Sequence, residues 1–176
     1  HKQPQDQLKV RFVYAPKQRV LNDLLNRDQN IQLPVVACYL GGIAKGYAAD
    51  LVSSYLKANG ITKAIVNLGG NVLIIGEKEE GVGFKVGLQD PFKERNVYFG
   101  IVEVADKTVV TSGIYERNFT QDGITYHHIL DTISGYPVNN AVEAISVIAD
   151  ASIDADALST VFFVLGVEKG IALCET

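Results

Sequence analysis

The sequence predicts a single α+β sandwich. Three observations lead there. The chain has 176 residues, enough for one domain with a real core. Short apolar runs of strand length recur along it, at 64–66, 72–75, 84–88, 98–104, 108–110 and 144–149. Two stretches, 44–58 and 152–165, carry apolar residues at helical spacing instead. Strands mixed with a few good helices are the pattern of an α+β fold. The 47% apolar and 20% charged residues are an ordinary globular balance, and a net charge of −4 argues against a broad nucleic-acid footprint. No uninterrupted apolar run reaches membrane-spanning length.

Taken in order, His1–Gln7 is polar and Val10–Tyr14 suits a short strand. Pro16 leads into a helix with Val20, Leu21, Leu24 and Leu25 on one face. Val35–Leu40 reads as a buried strand containing Cys38, a structural thiol rather than part of a metal or redox motif. Gly41-Gly42 then opens a helix whose apolar stripe is Ala44, Tyr47, Ala48, Leu51, Val52 and Tyr55, closed by Asn59-Gly60. Ala64–Val66 and Val72–Ile75 are expected to pair across the turn Asn67-Leu-Gly-Gly-Asn71, and Glu77–Gly83 reads as a hairpin loop. In the last helix Ile153, Ala157, Leu158, Val161 and Leu165 are expected to face inward, with Gly166 ending it and Val167–Cys174 starting another.

Several groups suit chemistry. A helix N-terminus after two glycines presents unpaired N–H groups to an anion, and Lys45 adds a charge there; a plain tight turn with a solvated lysine uses the same residues. Asp156 and Thr160, four apart, share a helix face and offer the hard oxygens that Mg²⁺ prefers. They equally suit a dipole-stabilised aspartate and a threonine bonded to its own helix. A strand sends His127 and His128 to opposite faces, and His128, with Asp131 nearby, is placed for proton transfer. Ser112 lacks the pattern of a serine nucleophile.

An ordered set of short blocks resembles the ApbE family of flavin transferases. The blocks are Leu40-Gly-Gly-Ile-Ala-Lys-Gly-Tyr-Ala-Ala-Asp50, Val66-Asn-Leu-Gly-Gly-Asn71, Thr111-Ser-Gly-Ile-Tyr-Glu-Arg117, His128-Ile-Leu-Asp131, Ser134-Gly-Tyr-Pro137, Asp156-Ala-Leu-Ser-Thr160 and Val164-Leu-Gly166. Each is weak alone; their order over about positions 35 to 170 is specific.

The resemblance implies a mixed α/β sandwich of the T-fold-like type, with residues 1–176 forming one partial catalytic domain, truncated at the N-terminus and at the C-terminus. It implies Mg²⁺-dependent transfer of FMN from FAD to a serine or threonine of an acceptor flavoprotein, through a phosphoester bond, with release of AMP. Alternatives are an FAD pyrophosphatase and a non-catalytic flavin-binding lipoprotein. By position, Asp156, Thr160, the neighbouring Ser159 and the Gly42 carbonyl would form the metal set. Tyr39, Lys45, His128 and Leu130 would lie along FAD, with His128 catalytic. Tyr39 stands where the family usually has an aspartate, Thr132 where it has a proline, and Ser134 where it has a threonine. The chain contains no methionine, so it reads as a processed product or a piece of a longer parent. Any export signal or lipid-anchor cysteine would lie upstream, and the resemblance implies an extracytoplasmic place on a bacterial cell envelope.

Overall fold

A computed structural model describes residues 10–11, 36–37 and 40–175. The expected helix around Val20–Leu25, Cys38 and the FAD-contact candidate Tyr39 lie outside the described residues. The chain falls into two compact units, His1–Gly41 and Gly42–Thr176. In the first, β1 (Val10–Arg11) and β2 (Val36–Ala37) pair in parallel.

The second unit is built on a four-stranded antiparallel sheet. Its strands are β3 (Ala64–Asn67), β4 (Asn71–Ile75), β7 (Thr108–Gly113) and β10 (Ala144–Ala149), in the spatial order β10-β7-β4-β3. The expected pairing of 64–66 with 72–75 is present, with Val66 opposite Leu73. The turn between them needs positive φ at Gly69 (64°) and Gly70 (75°), where a side chain would be strained. Residues 77–83 do not join two paired strands. β4 pairs with β3 and β7, whereas β5 (Phe84–Gln89) pairs with β6 (Tyr98–Val104) as a separate hairpin. A further hairpin, β8 (Asn118–Gln121) and β9 (Ile124–His127), turns at Asp122-Gly123, both with positive φ. Asp-Gly is a strong hairpin signal that the apolar pattern alone passes over.

Strand alternation sorts β4 into two cores. Leu73 and Ile75 pack with Val66, Ala49 and Leu56 beneath α1 (Ala44–Ala58). Ile74 faces the other way and packs with Val104 and Val109 against the apolar side chains of the β5–β6 hairpin. A third cluster, Ile129, Val142 and Phe163, lies under α2 (Ser152–Cys174). Helices therefore cover one face of the sheet and a hairpin the other. α2 breaks where sequence places the break: Gly166 has φ 77° and ψ 178°. By length and composition α2 would suit a membrane crossing, but the break leaves segments 152–165 and 167–174, each shorter than the roughly 20 residues a span needs.

The inward faces of both helices differ from the expected stripes. α1 buries Gly46, Ala49 and Ser53 and leaves Tyr47, Leu51, Val52 and Tyr55 exposed. α2 buries Ser152, Ala155, Asp156, Ser159 and Phe163, while Val161 and Leu165 are exposed. The reason is close approach. A Cβ on Gly46 would stand 2.3 Å from the Ser152 carbonyl oxygen, so only small residues let the two backbones meet. Apart from Phe163, small and polar residues occupy the inside, and the apolar spacing marks the outside.

Candidate functional site

Neither helix caps itself. The residues before their first turns, Ile43 and Ala151, make no side-chain cap bond. Each helix instead takes a carboxylate from the other. Asp50 of α1 accepts from the N–H groups of Ser152 and Ile153, at 2.9 Å on each oxygen. Asp156 of α2 accepts from the Gly46 N–H at 2.8 Å. All three bonds are charge-assisted and lie at the positive ends of helix dipoles. Asp50 ends the first sequence block but offers no spacing clue to a partner 102 residues away, so sequence reasoning assigns it nothing.

Asp156 is 3% exposed. It does not line an open cleft, as a wholly solvent-facing ligand would. The ion pairs among the described residues are Lys57–Asp106, Lys93–Asp90 and Lys107–Asp150, and none reaches Asp156. A buried carboxylate with no counter-charge is costly, and a bound cation is one remedy. The neighbouring groups have the right chemistry for a hard one. Thr160 Oγ1 donates a long 3.4 Å bond to the Asp156 carbonyl, and a Cβ on Gly42 would sit 3.3 Å from that same Oγ1. Gly42, Asp156 and Thr160 are thus brought together, offering carbonyl, carboxylate and hydroxyl oxygens of the kind Mg²⁺ accepts alongside water and phosphate. Gly42 does not have positive φ, so space, not backbone conformation, is its constraint. Ser159 is fully buried and turned into the fold: its Oγ donates to the Asp156 carbonyl at 3.0 Å and bonds Ser112 Oγ at 2.8 Å. Ser112, on β7, therefore has a structural partner on α2.

Beneath this lies a buried polar layer. Ser152 Oγ donates to Asn71 Oδ1 at 2.8 Å and lies 3.1 Å from Thr108 Oγ1. Asn71 and Thr108 are both 0% exposed. Lys45 reaches back to the same turn region, its Nζ donating to the Gly69 carbonyl at 3.0 Å. The Gly-Gly turn, the start of α1 and the start of α2 are therefore tied together.

The two histidines divide as a strand end requires. His127 is structural: its Nδ1 accepts from the Ile129 N–H, its Nε2 donates to the Val138 carbonyl, and its ring edge meets Phe163 at 5.8 Å. His128 is exposed, and its Nδ1–H donates to the Arg117 carbonyl at 3.3 Å. That bond leaves Nε2 as the basic nitrogen. Partial desolvation pushes the ring below the usual imidazole range, against the opposing effect of the Arg117 carbonyl. Asp131 is not its partner. Asp131 accepts from the Ile133 N–H and from Ser134 Oγ, both at 2.9 Å, which builds the 131–136 turn and holds its carboxyl below the usual range. Leu130 is exposed and bridged to Pro137. Among the described residues no hydrogen bond joins His128 to Asp156 or Thr160.

Comparison with known proteins accounts for this grouping of blocks. Residues 5–176 match the ApbE family model. The chain belongs to the ApbE family. An FAD:protein FMN transferase of Klebsiella pneumoniae (strain 342) is 42% identical over 165 residues, which is 94% of this chain and 50% of the relative. One of Treponema pallidum (strain Nichols) is 43% identical, over 76% of this chain and 39% of the relative. The flavin transferase ApbE of Vibrio cholerae superposes with a TM-score of 0.69 at 35% identity, covering 81% of this chain and 45% of the other. The ApbE protein of Thermotoga maritima gives 0.68 at 38% identity, covering 74% and 43%. The α+β architecture is thus that of ApbE flavin transferases, and the chain spans half or less of the length of these relatives.

Proposed function

We propose that this chain carries the metal-binding part of an FAD:protein FMN transferase. The observation that carries the reading is the buried Asp156 carboxylate, without a described counter-charge, set against Thr160 and Gly42 where two helix N-termini converge. The names of the relatives support FAD as the substrate and a protein as acceptor.

Asp156, Thr160 and the Gly42 carbonyl would hold Mg²⁺. When bound, the ion neutralises charge on a pyrophosphate and so favours displacement at phosphorus. The acceptor hydroxyl, of a serine or threonine, forms a new P–O bond to the FMN phosphorus. The bond from that phosphorus to the bridging oxygen breaks, and AMP leaves with that oxygen. His128 Nε2 is the base we assign to the hydroxyl proton, because its other nitrogen is held by the Arg117 carbonyl and its depressed pKa keeps it neutral. Leu130 and Lys45 belong to the same reading as flavin-nucleotide contacts. So do a lipid-anchored parent and a place on the cell envelope.

The test incubates the full-length protein with FAD, Mg²⁺ and an acceptor domain and follows flavin fluorescence on a denaturing gel. Labelled acceptor and released AMP are expected. Free FMN with no labelled acceptor would instead identify a pyrophosphatase, and intact FAD a flavin binder.

A further inference from the structure

We infer that Asp50 is a positioning residue for the metal set: it fixes the register of α2 against α1 and thereby the distance from Gly42 to Asp156 and Thr160. This rests on the metal reading above.

The inference follows from how the two helices are joined. Gly46 and Asp50 are one turn apart on α1, and Ser152 and Asp156 are one turn apart on α2. Gly46 bonds Asp156, and Asp50 bonds the N–H groups of Ser152 and Ile153. These contacts close a loop that spans one turn of each helix. Gly42, one turn before Gly46, and Thr160, one turn after Asp156, extend the same two helix starts, and they meet at 3.3 Å from the Gly42 Cβ position. Asp50 touches none of the proposed ligands. It acts on them through the α2 backbone, as outer residues do when they orient groups that bind a metal.

Two features leave the start of α2 dependent on Asp50 for its cap. Ala151 makes no side-chain cap bond, so without Asp50 two N–H groups of α2 lose their acceptor. The Ser152 hydroxyl is already committed to Asn71 and Thr108 and cannot turn back to cap the helix. A slide of α2 along α1 would also drive Ser152 and Ile153 against Gly46, where backbone already meets backbone.

The experiment titrates Mg²⁺ into the full-length protein, by calorimetry and by activation of turnover, for wild type, Asp50→Asn, Asp50→Ala and Asp156→Ala, with thermal midpoints measured without metal. Outer residues of metal sites typically cost 10–100-fold in affinity when replaced. Asp50→Ala is expected to weaken Mg²⁺ about tenfold or more, with turnover recovered at high Mg²⁺. Asp50→Asn keeps one acceptor and should fall between Asp50→Ala and wild type. A folded Asp50→Ala with unchanged Mg²⁺ affinity and only a lowered midpoint would make Asp50 a plain helix cap and overturn the inference. If Asp50→Ala does not fold, Asp50→Asn decides alone, by the same criterion. An Asp156→Ala that binds Mg²⁺ like wild type would overturn the metal reading itself, and the inference with it.

Discussion

The two faces of the central sheet are held by opposite means. On one, Ile74, Val109 and Val104 pack with the apolar side chains of the β5–β6 hairpin. On the other, α1 and α2 approach through Gly46, Ala49, Ser152, Ala155, Asp156 and Ser159, and the polar members among them are hydrogen-bonded. The first face is stabilised by burial, which tolerates a range of similar shapes. The second is organised by geometry: small residues bring backbones together, and carboxylates replace missing caps. Function is assigned to the second face because only there, among the described residues, is a carboxylate buried without a counter-charge.

Substitutions sharpen the contrast. Ile74→Ala on the apolar face should cost about 2–5 kcal/mol in a denaturant titration, the usual loss for a buried isoleucine. Mg²⁺ affinity should stay as in wild type. Gly46→Ala should cost roughly 1–3 kcal/mol, as overpacking does, because its new methyl meets main chain rather than a movable side chain. Here Mg²⁺ affinity should fall as well. Equal Mg²⁺ responses in the two variants would erase the distinction between the faces.

Smaller effects concern Lys45 and His128. Lys45→Ala removes one bond to the Gly69 carbonyl and should cost about 1 kcal/mol, with a modest loss of FAD affinity in a calorimetric titration. Partial desolvation depresses the His128 pKa below the ordinary imidazole value of about 6.5. Below pH 6.5 the unfolded chain therefore binds a proton that the folded ring resists, and stability drops as pH falls from that point towards the folded pKa. Above it both states are neutral and nothing is contributed. The acid limb of turnover should accordingly lie below pH 6.5, and thermal midpoints of His128→Asn should lose this part of the pH dependence.

What could be read from sequence follows the same division. Strands β6 and β10 lie where alternation and apolar runs place them, as does the helix break at Gly166, because burial leaves a periodic trace. The helix faces reverse the expectation. Tyr47, Leu51 and Tyr55 carry the helical spacing, yet Gly46, Ala49 and Ser53 are inside. Close packing selects for smallness, and smallness has no hydrophobic period. The ordered blocks led to the neighbourhood of Gly42, Asp156 and Thr160, but Asp50, Ser152 and Asn71 carry bonds across 81 to 103 residues that no local pattern signals. Asp131 was a misleading neighbour of His128, since a carboxylate beside a tight turn serves the turn first.

Asp156→Asn tests the central claim most directly. Asparagine keeps an oxygen for the Gly46 N–H and removes the buried charge. Thermal midpoints of wild type and variant, full-length, are measured with and without Mg²⁺. Wild type should gain about 2.7 kcal/mol at an Mg²⁺ concentration of one hundred times Kd. The variant should be at least as stable as wild type without metal and should gain nothing when Mg²⁺ is added. A variant that is less stable without metal, yet still stabilised by Mg²⁺ like wild type, would contradict a cation site at Asp156.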